Sequence, residues 1–161
     1  TLVELIVVIA IMAVLAGVVA GVTVSQLNKQ TDKTGATQAN TVASFISENA
    51  LISDEDATPI VKSILVPATT TTPATYKNVF IVANVKTLIT AQYTAASIPV
   101  KNATDEGVDV NKSGQVIITF GGVPEDDTTI ADTVIVTYKP KASGTATTTF
   151  TISADGVVTK S

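Results

Sequence analysis

The stretch Leu5–Val24, LIVVIAIMAVLAGVVAGVTV, contains no charged residue, and Thr23 is its only side chain that forms hydrogen bonds. As an α-helix it would be about 30 Å long, which matches the hydrocarbon core of a bilayer. Every face of this helix is apolar, so it must be buried on all sides by lipid or by other helices. The rest of the chain is too small to enclose it. We therefore predict a hydrophobic N-terminal helix over residues 1–24 that serves as a membrane anchor.

Composition narrows the class of protein. The chain has 161 residues, 45% of them apolar and 15% charged, which suits one folded domain with an appended element. Its net charge of -4, with ten Lys and no Arg, indicates no nucleic-acid site. The sequence lacks His and Cys, so the most common general base, thiolate nucleophile and zinc ligands are missing. We predict a protein that is not an enzyme and that uses no cofactor and no metal.

Glu4 lies at the edge of the apolar stretch. An unpaired carboxylate is costly there, and the helix macrodipole offsets only part of that cost. In a stack of staggered identical helices, Glu4 of one subunit would meet the α-amino group of the next subunit. Alternatively, Glu4 is solvated at the level of the lipid headgroups and has no partner. The residues alone leave both interpretations open.

The sequence Thr1-Leu2-Val3-Glu4-Leu5, followed by about twenty apolar residues, resembles the class III signal-peptide region of type IV pilins and type II secretion pseudopilins. The resemblance covers about the first 25 residues. It implies cleavage by a prepilin peptidase and N-methylation of a residue, usually Phe, that would precede Thr1. The absence of an initiator Met and of a basic leader agrees with such cleavage. The resemblance also implies that Glu4 neutralises the N-terminal amine of a neighbouring subunit and sets the subunit register.

The same resemblance implies a helical homopolymer held together by the hydrophobic helix. The residues expected at the subunit interface are Thr1, Glu4, Leu5, Val8, Ile11, Met12, Leu15, Val19 and Val22. Gly17 and Gly21 form a Gly-x-x-x-Gly motif that lets two membrane helices approach closely. In a filament they are instead a candidate weak point, since each Gly costs ~1 kcal/mol in a helix. Simple tolerance of Gly in membrane helices is the third interpretation.

The helix is predicted to continue as an amphipathic second half over residues 25–53. Gly35 is a candidate soft point within it, and Asp54-Glu55-Asp56 followed by Pro59 ends it. One apolar stripe with helical spacing supports this half, and it consists of Ala39, Val42, Ala43, Ile46 and Ala50.

Residues 58–76 are predicted to form an exposed loop, because they contain three prolines and a run of four threonines. The candidate glycosylation sites are Thr69, Thr70, Thr71 and Thr72 for O-linked sugar and the sequons at Asn102 and Asn111 for N-linked sugar. A plain polar loop and chance sequons are the alternatives. Residues 86–97 fit a short helix, although a strand is also compatible with them.

Alternating apolar residues predict strands around Val116–Phe120, Val134–Tyr138 and Phe150–Ile152, and Asp155-Gly156 predicts a hairpin turn. The predicted fold class is therefore α+β and pilin-like. A long N-terminal helix leaves its hydrophobic half protruding and packs its second half on an antiparallel sheet of three or four strands. Residues 54–161 form the globular head, with a loop between the helix and the sheet.

Two acidic clusters are candidate Ca²⁺ sites, Asp54–Asp56 and Glu125–Asp127 with Asp132. Neither matches an EF-hand loop, and the prediction stays at no metal. The first aromatic residue is Phe45, so the long helix offers no aromatic ladder for electron transport.

The leading functional prediction is a structural subunit of a type IV pilus that acts in adhesion, motility or DNA uptake. Its partners would be copies of itself, the cytoplasmic membrane before assembly, the prepilin peptidase and the assembly machinery. It would be a single-pass membrane protein before assembly and an extracellular pilus subunit afterwards. The alternatives are a type II secretion pseudopilin and a membrane-tethered monomeric β-domain adhesin.

Overall fold

The computed structural model describes residues 1–52, 58–125 and 127–161. These residues form a long N-terminal helix and a mixed region of strands and one shorter helix, which confirms the predicted α+β class. The helices are α1 (Leu2–Leu51) and α2 (Val82–Tyr93). The strands are β1 (Val61–Val66), β2 (Thr75–Ile81), β3 (Val100–Asn102), β4 (Val116–Gly121), β5 (Ile130–Ala131), β6 (Thr133–Tyr138), β7 (Thr148–Ser153) and β8 (Val158–Lys160).

Helix α1 is continuous over 50 residues, a length of about 75 Å. Its first half makes no buried contact, and the first fully buried side chain along the chain is that of Asp32. The predicted apolar stripe is confirmed, because all five of its residues are buried in the head. The helix ends at Leu51, and the acidic residues 54–56 expected to end it lie outside the described residues.

The larger sheet has the strand order β3-β4-β6-β7-β8. Strands β4, β6, β7 and β8 are antiparallel, as predicted, and β3 adds a fifth strand that is parallel to β4. The side chains of Ile118, Val136 and Phe150 lie side by side in the register and are buried beneath α1. The predicted turn joins β7 and β8, with Gly156 at a φ of 79°.

A second sheet corrects the prediction of a loop over residues 58–76. Strand β1 and the start of β2 lie in this range, and with β5 they form an antiparallel sheet of order β1-β2-β5. The prolines that suggested a loop fall outside the strands, Pro59 before β1 and Pro67 and Pro73 in the connection to β2. They therefore leave the ladder of backbone hydrogen bonds intact. The Thr69–Thr72 run lies at the tip of this hairpin.

Helix α2 settles the choice between helix and strand for the segment before Ile98-Pro99. It begins at Val82, four residues earlier than predicted, and ends at Tyr93 rather than Ser97. The buried side chains of Val85 and Ile89 are one helical turn apart and fix its inner face on the core. The sequence pattern alone identified only the later part of this face.

Candidate functional site

The protruding half of α1 is the most unusual surface of the molecule. The large apolar side chains from Leu2 to Leu27 are each 50–71% exposed in the isolated chain. Among the described residues, α1 is the single helix long and apolar enough to cross a membrane, and its most apolar window has no side chain buried against the head. By length and composition, this segment can serve as a single membrane anchor.

The predicted interface residues all lie on this exposed segment. Six of them recur at alternating spacings of three and four residues, and this spacing places them in one stripe along the helix. This stripe consists of Leu5, Val8, Met12, Leu15, Val19 and Val22. Ile11 lies beside the stripe. The contact of this stripe with a second copy of the chain stays a prediction.

Gly17 and Gly21 lie one turn apart on the same exposed segment. The helix is continuous through both, and a methyl group added at either position would meet no atom within 4 Å. The two glycines therefore leave a flat place on the helix that another helix could approach. Their role as a weak point in an assembled filament stays a prediction.

Glu4 is exposed in the first turn of α1, where the positive end of the helix dipole favours a carboxylate. Its side chain is exposed to solvent, so the carboxylate is accessible to a cation from another molecule.

A second candidate feature is the junction at which α1 enters the head. Asp32 is only 4% exposed, and both of its carboxylate oxygens accept hydrogen bonds. The Tyr138 hydroxyl donates to Oδ1 over 2.9 Å, the Lys141 amide donates to Oδ1 over 2.7 Å, and the Ala142 amide donates to Oδ2 over 2.8 Å. We call Asp32, Tyr138, Lys141 and Ala142 the junction clamp, because they join α1 to the end of β6 and the following loop.

The junction clamp changes the acidity of its own groups. Burial raises the pKa of the Asp32 carboxyl, but the amides of Lys141 and Ala142, the Tyr138 hydroxyl and the charge of Lys141 outweigh burial and leave that pKa lowered. Burial, together with the hydrogen bond to Asp32 and its negative charge, raises the pKa of Tyr138 well above its usual value. Asp32 is therefore an anion and Tyr138 a neutral donor over the physiological pH range.

Gly35 corrects the prediction of a soft point. It lies one turn after Asp32 in an unbroken helix and is buried, and a Cβ atom at this position would overlap the Tyr138 ring. Gly35 thus permits the close approach of α1 and β6. In a sequence, a glycine within a helix indicates only backbone freedom. The contact that requires Gly35 here is made by Tyr138, more than a hundred positions away, so the sequence pattern did not show it.

The candidate glycosylation sites differ in exposure. Thr69 to Thr72 are exposed, and the tip is ordered by the Thr69 amide donating to the Thr72 carbonyl over 2.9 Å. Asn111 is also exposed, and its Oδ1 accepts a hydrogen bond from Lys139 Nζ over 2.9 Å. Asn102 is only 3% exposed, so the folded head has no room for a glycan on it. Chemical patterns such as sequons do not record burial.

The acidic clusters lie partly outside the described residues, which leave out residues 53–57 and Asp126. Within the described part of the chain, no group of three or more acidic side chains is placed to hold a metal ion. Asp132 instead pairs with Lys77, whose Nζ donates to Oδ2 over 2.6 Å.

The sequence did not single out Asp32, although a signal was present. Extending the apolar stripe of α1 toward the N-terminus reaches Gly35 and then Asp32 on the same face, which predicts a carboxylate facing the head. A polar residue on a buried face needs partners, and the head supplies them.

Comparison with protein-family models, with curated proteins and with solved structures finds no significant match to this chain.

Proposed function

We propose that this chain is a type IV pilin-like structural subunit, which polymerises through the protruding half of α1 into a helical filament. The observation that carries the proposal is the apolar half-helix without a covering layer, continuous with a helix at the centre of the head's core. The resemblance of the first 25 residues to the pilin and pseudopilin signal region supports the same assignment.

The exposed segment cannot remain in water. Sixteen large apolar side chains from Leu2 to Leu27 are at least half exposed. Burying the exposed part of each side chain contributes roughly 1 kcal/mol or more. Together, the sixteen side chains therefore favour an apolar environment by more than about 15 kcal/mol. This is as large as the whole net stability of a typical domain, about 5–15 kcal/mol. Lipid satisfies this preference before assembly, and neighbouring helices satisfy it in a filament.

The connection between anchor and head favours a polymer over a tethered monomer. A tether needs only a flexible linker, yet here the anchor continues without a break into the buried stripe from Ala39 to Ala50. The junction clamp fixes the helix to the head at Asp32. Each head is therefore held in one orientation relative to its anchor, which lets identical subunits repeat by one head-to-tail operation into an open helix.

In this mechanism the subunit waits in the cytoplasmic membrane with its head outside. Assembly machinery extracts it, and the stripe from Leu5 to Val22 packs against the helices of staggered neighbours. Glu4 pairs with the N-terminal amine of an adjacent subunit and so sets the register. The finished filament is extracellular and serves adhesion, motility or DNA uptake.

The test compares Glu4→Ala with Glu106→Ala, an exposed glutamate in the head, in the source cells. Sheared surface material is imaged by electron microscopy, and the filament protein is identified by mass spectrometry. Wild type and Glu106→Ala should give thin filaments of this chain with an N-methylated residue before Thr1, whereas Glu4→Ala should accumulate in the membrane. Membrane display without filaments in the wild type would favour the tethered monomer, and filaments confined to the periplasm would favour a pseudopilin.

A further inference from the structure

The head has two ends along the axis of α1. The helix enters the head at Asp32, and near the other end its Ser47 hydroxyl donates to the Gly156 carbonyl. The first of these ends faces the protruding half of α1, so it lies toward any membrane that holds this half. We call this end the base of the head, and it consists of residues 28–34, 109–115 and 139–147.

The base is a basic surface on an acidic protein. Its acidic side chains are Asp109 and Asp32, and the junction clamp engages the second of them. Five lysines against these two aspartates leave the base with a net charge of +3. The whole chain has a net charge of -4, so the rest of the chain carries -7. The five lysines at the base are Lys29, Lys33, Lys112, Lys139 and Lys141.

Contacts between the loops hold the lysines of the base together. The Lys141 amide donates to α1 within the junction clamp over 2.7 Å. The Gly114 amide donates to the Lys139 carbonyl over 2.8 Å, and Lys139 Nζ donates to Asn111 Oδ1 over 2.9 Å. Lys112 follows Asn111 in the chain, and its side chain is exposed. The two loops therefore form one surface with the part of α1 that carries the other two lysines.

The continuous helix sets the height of this surface above a membrane. With Leu5–Val24 in the hydrocarbon core, the rise of an α-helix places Lys29 about 8 Å and Asp32 about 12 Å beyond the core. The lipid headgroups occupy about 5–8 Å on each side of the core. The base therefore lies within a few ångströms of the headgroup phosphates, closer than the roughly 8 Å over which physiological salt screens charges. Because the junction clamp fixes the head on α1, the loop lysines stay on this side.

We propose that the base of the head docks on the phosphate groups of anionic lipids in the leaflet next to the head. The lysine ammonium groups pair with these phosphates and hold the head against the membrane surface, and extraction of the subunit breaks the contacts. Lipid lies beneath the base of every anchored copy, which favours it over the acidic remainder of a second copy. The inference rests on the membrane-anchored stage of the proposed function and does not require a filament.

The experiment uses the full chain, labelled with ¹⁵N, in nanodiscs that hold one copy each. One set of nanodiscs contains phosphatidylcholine alone, and the other contains equal parts of phosphatidylcholine and phosphatidylglycerol. Both sets include a trace of phosphatidylcholine with a nitroxide on its headgroup, which enhances the relaxation of nearby amides. Hydrogen exchange of residues 5–24 reports in parallel whether α1 is inserted.

The relaxation enhancement at the amides of Gly114 and Ala142 should be roughly twofold or more larger in the nanodiscs with phosphatidylglycerol. This difference should disappear in about 1 M salt, where the screening length falls to about 3 Å. The amide of Gly156, at the far end of the head, should show no difference between the two lipids.

Two double variants remove the same charge from opposite ends of the head. Lys112→Gln with Lys141→Gln acts at the base, and Lys62→Gln with Lys77→Gln acts on the β1–β2 hairpin. All four side chains are exposed, and the hairpin is bonded to the β7–β8 turn through Asn78. The first double variant should lose about half or more of the enhancement that depends on phosphatidylglycerol, and the second should keep it.

The contrary outcomes separate this inference from the proposed function. Rapid exchange in residues 5–24 would show that α1 is not inserted, and it would overturn both the anchored stage and the docking. Protected residues 5–24 with equal enhancement in the two lipids, or with equal losses in the two double variants, would overturn the docking alone. Enhancement that appears only with two copies in a nanodisc, together with shifts at both Gly114 and Gly156, would assign the base to a second copy instead.

Discussion

Replacing Asp32 with alanine should destabilise the head more than any other single loss of charge, because it empties the centre of the junction clamp. The substitution removes both oxygens that accept the hydrogen bonds from Tyr138, Lys141 and Ala142. The Tyr138 hydroxyl has only a long alternative, the Thr31 carbonyl at 3.4 Å. Two backbone amides are left to water or to no partner.

The magnitude follows from these three donors. A hydrogen bond to a charged group contributes about 1.5–3 kcal/mol, and relief of the desolvation of the buried carboxylate offsets part of the sum. A net loss of about 3 kcal/mol is therefore expected for Asp32→Ala. For a chain of this size that loss lowers the melting temperature by roughly 10 °C. Asp32→Asn keeps one acceptor and should lose about half as much.

The assay is thermal unfolding of the full chain in detergent micelles, followed by near-ultraviolet circular dichroism of the tyrosines in the head. Hydrogen exchange locates the effect, which should be a loss of protection in α1 around residue 32 and in the loop after β6. Glu106→Ala is the control, and its exposed side chain should change stability by less than about 0.5 kcal/mol. Equal melting temperatures for Asp32→Ala and Glu106→Ala would refute the clamp.

Three further predictions concern the same helix and its contacts. Gly35→Ala should cost about 1–3 kcal/mol in the thermal assay because the methyl group overlaps the Tyr138 ring, whereas Gly21→Ala meets no atom and should not destabilise; equal effects would contradict the close contact. The lowered pKa of Asp32 contributes stability that is complete above its unfolded pKa of about 3.9 and is lost as the pH falls through its lower folded pKa. Urea midpoints between pH 2 and 6 should therefore fall less steeply in Asp32→Ala than in the wild type, and parallel curves would exclude this linkage. Gly156→Ala, at a φ of 79°, should strain the turn by about 1–2 kcal/mol and so lower the melting temperature, and an unchanged melting temperature would show that the turn adapts.

The sequence predicted the features that depend on local periodicity. The apolar run predicted the protruding half of α1, and the stripe from Ala39 to Ala50 predicted the face that packs on the sheet, because both signals lie along one element. The strands β4, β6 and β7 followed from alternation, and the β7–β8 turn followed from Asp155-Gly156. In each case the residues that form the sequence pattern are also the residues that form the helix, strand or turn.

The features that were missed depend on partners far apart in the chain. Strand β1, which lies between Pro59 and Pro67, has too little apolar alternation to be predicted as a strand, since only Val61 at its start is buried. Its strand character comes from pairing with β2. The extended stripe of α1 places Asp32 on the face toward the head, but it does not reveal that the loop after β6 brings two amides to it. No local pattern specifies these contacts.

The position of the junction clamp links the energetics of the head to the proposed filament. Asp32 is the first buried residue of α1, so a load applied to the protruding half reaches the buried part of the helix first at this residue. Farther along α1, the Ser47 hydroxyl donates to the Gly156 carbonyl over 2.5 Å and ties the helix to the β7–β8 turn. Between these two points the helix buries its apolar stripe on the sheet. Pulling α1 along its axis must therefore break the charged hydrogen bonds and the apolar packing together, which is the resistance that a filament subunit under tension requires.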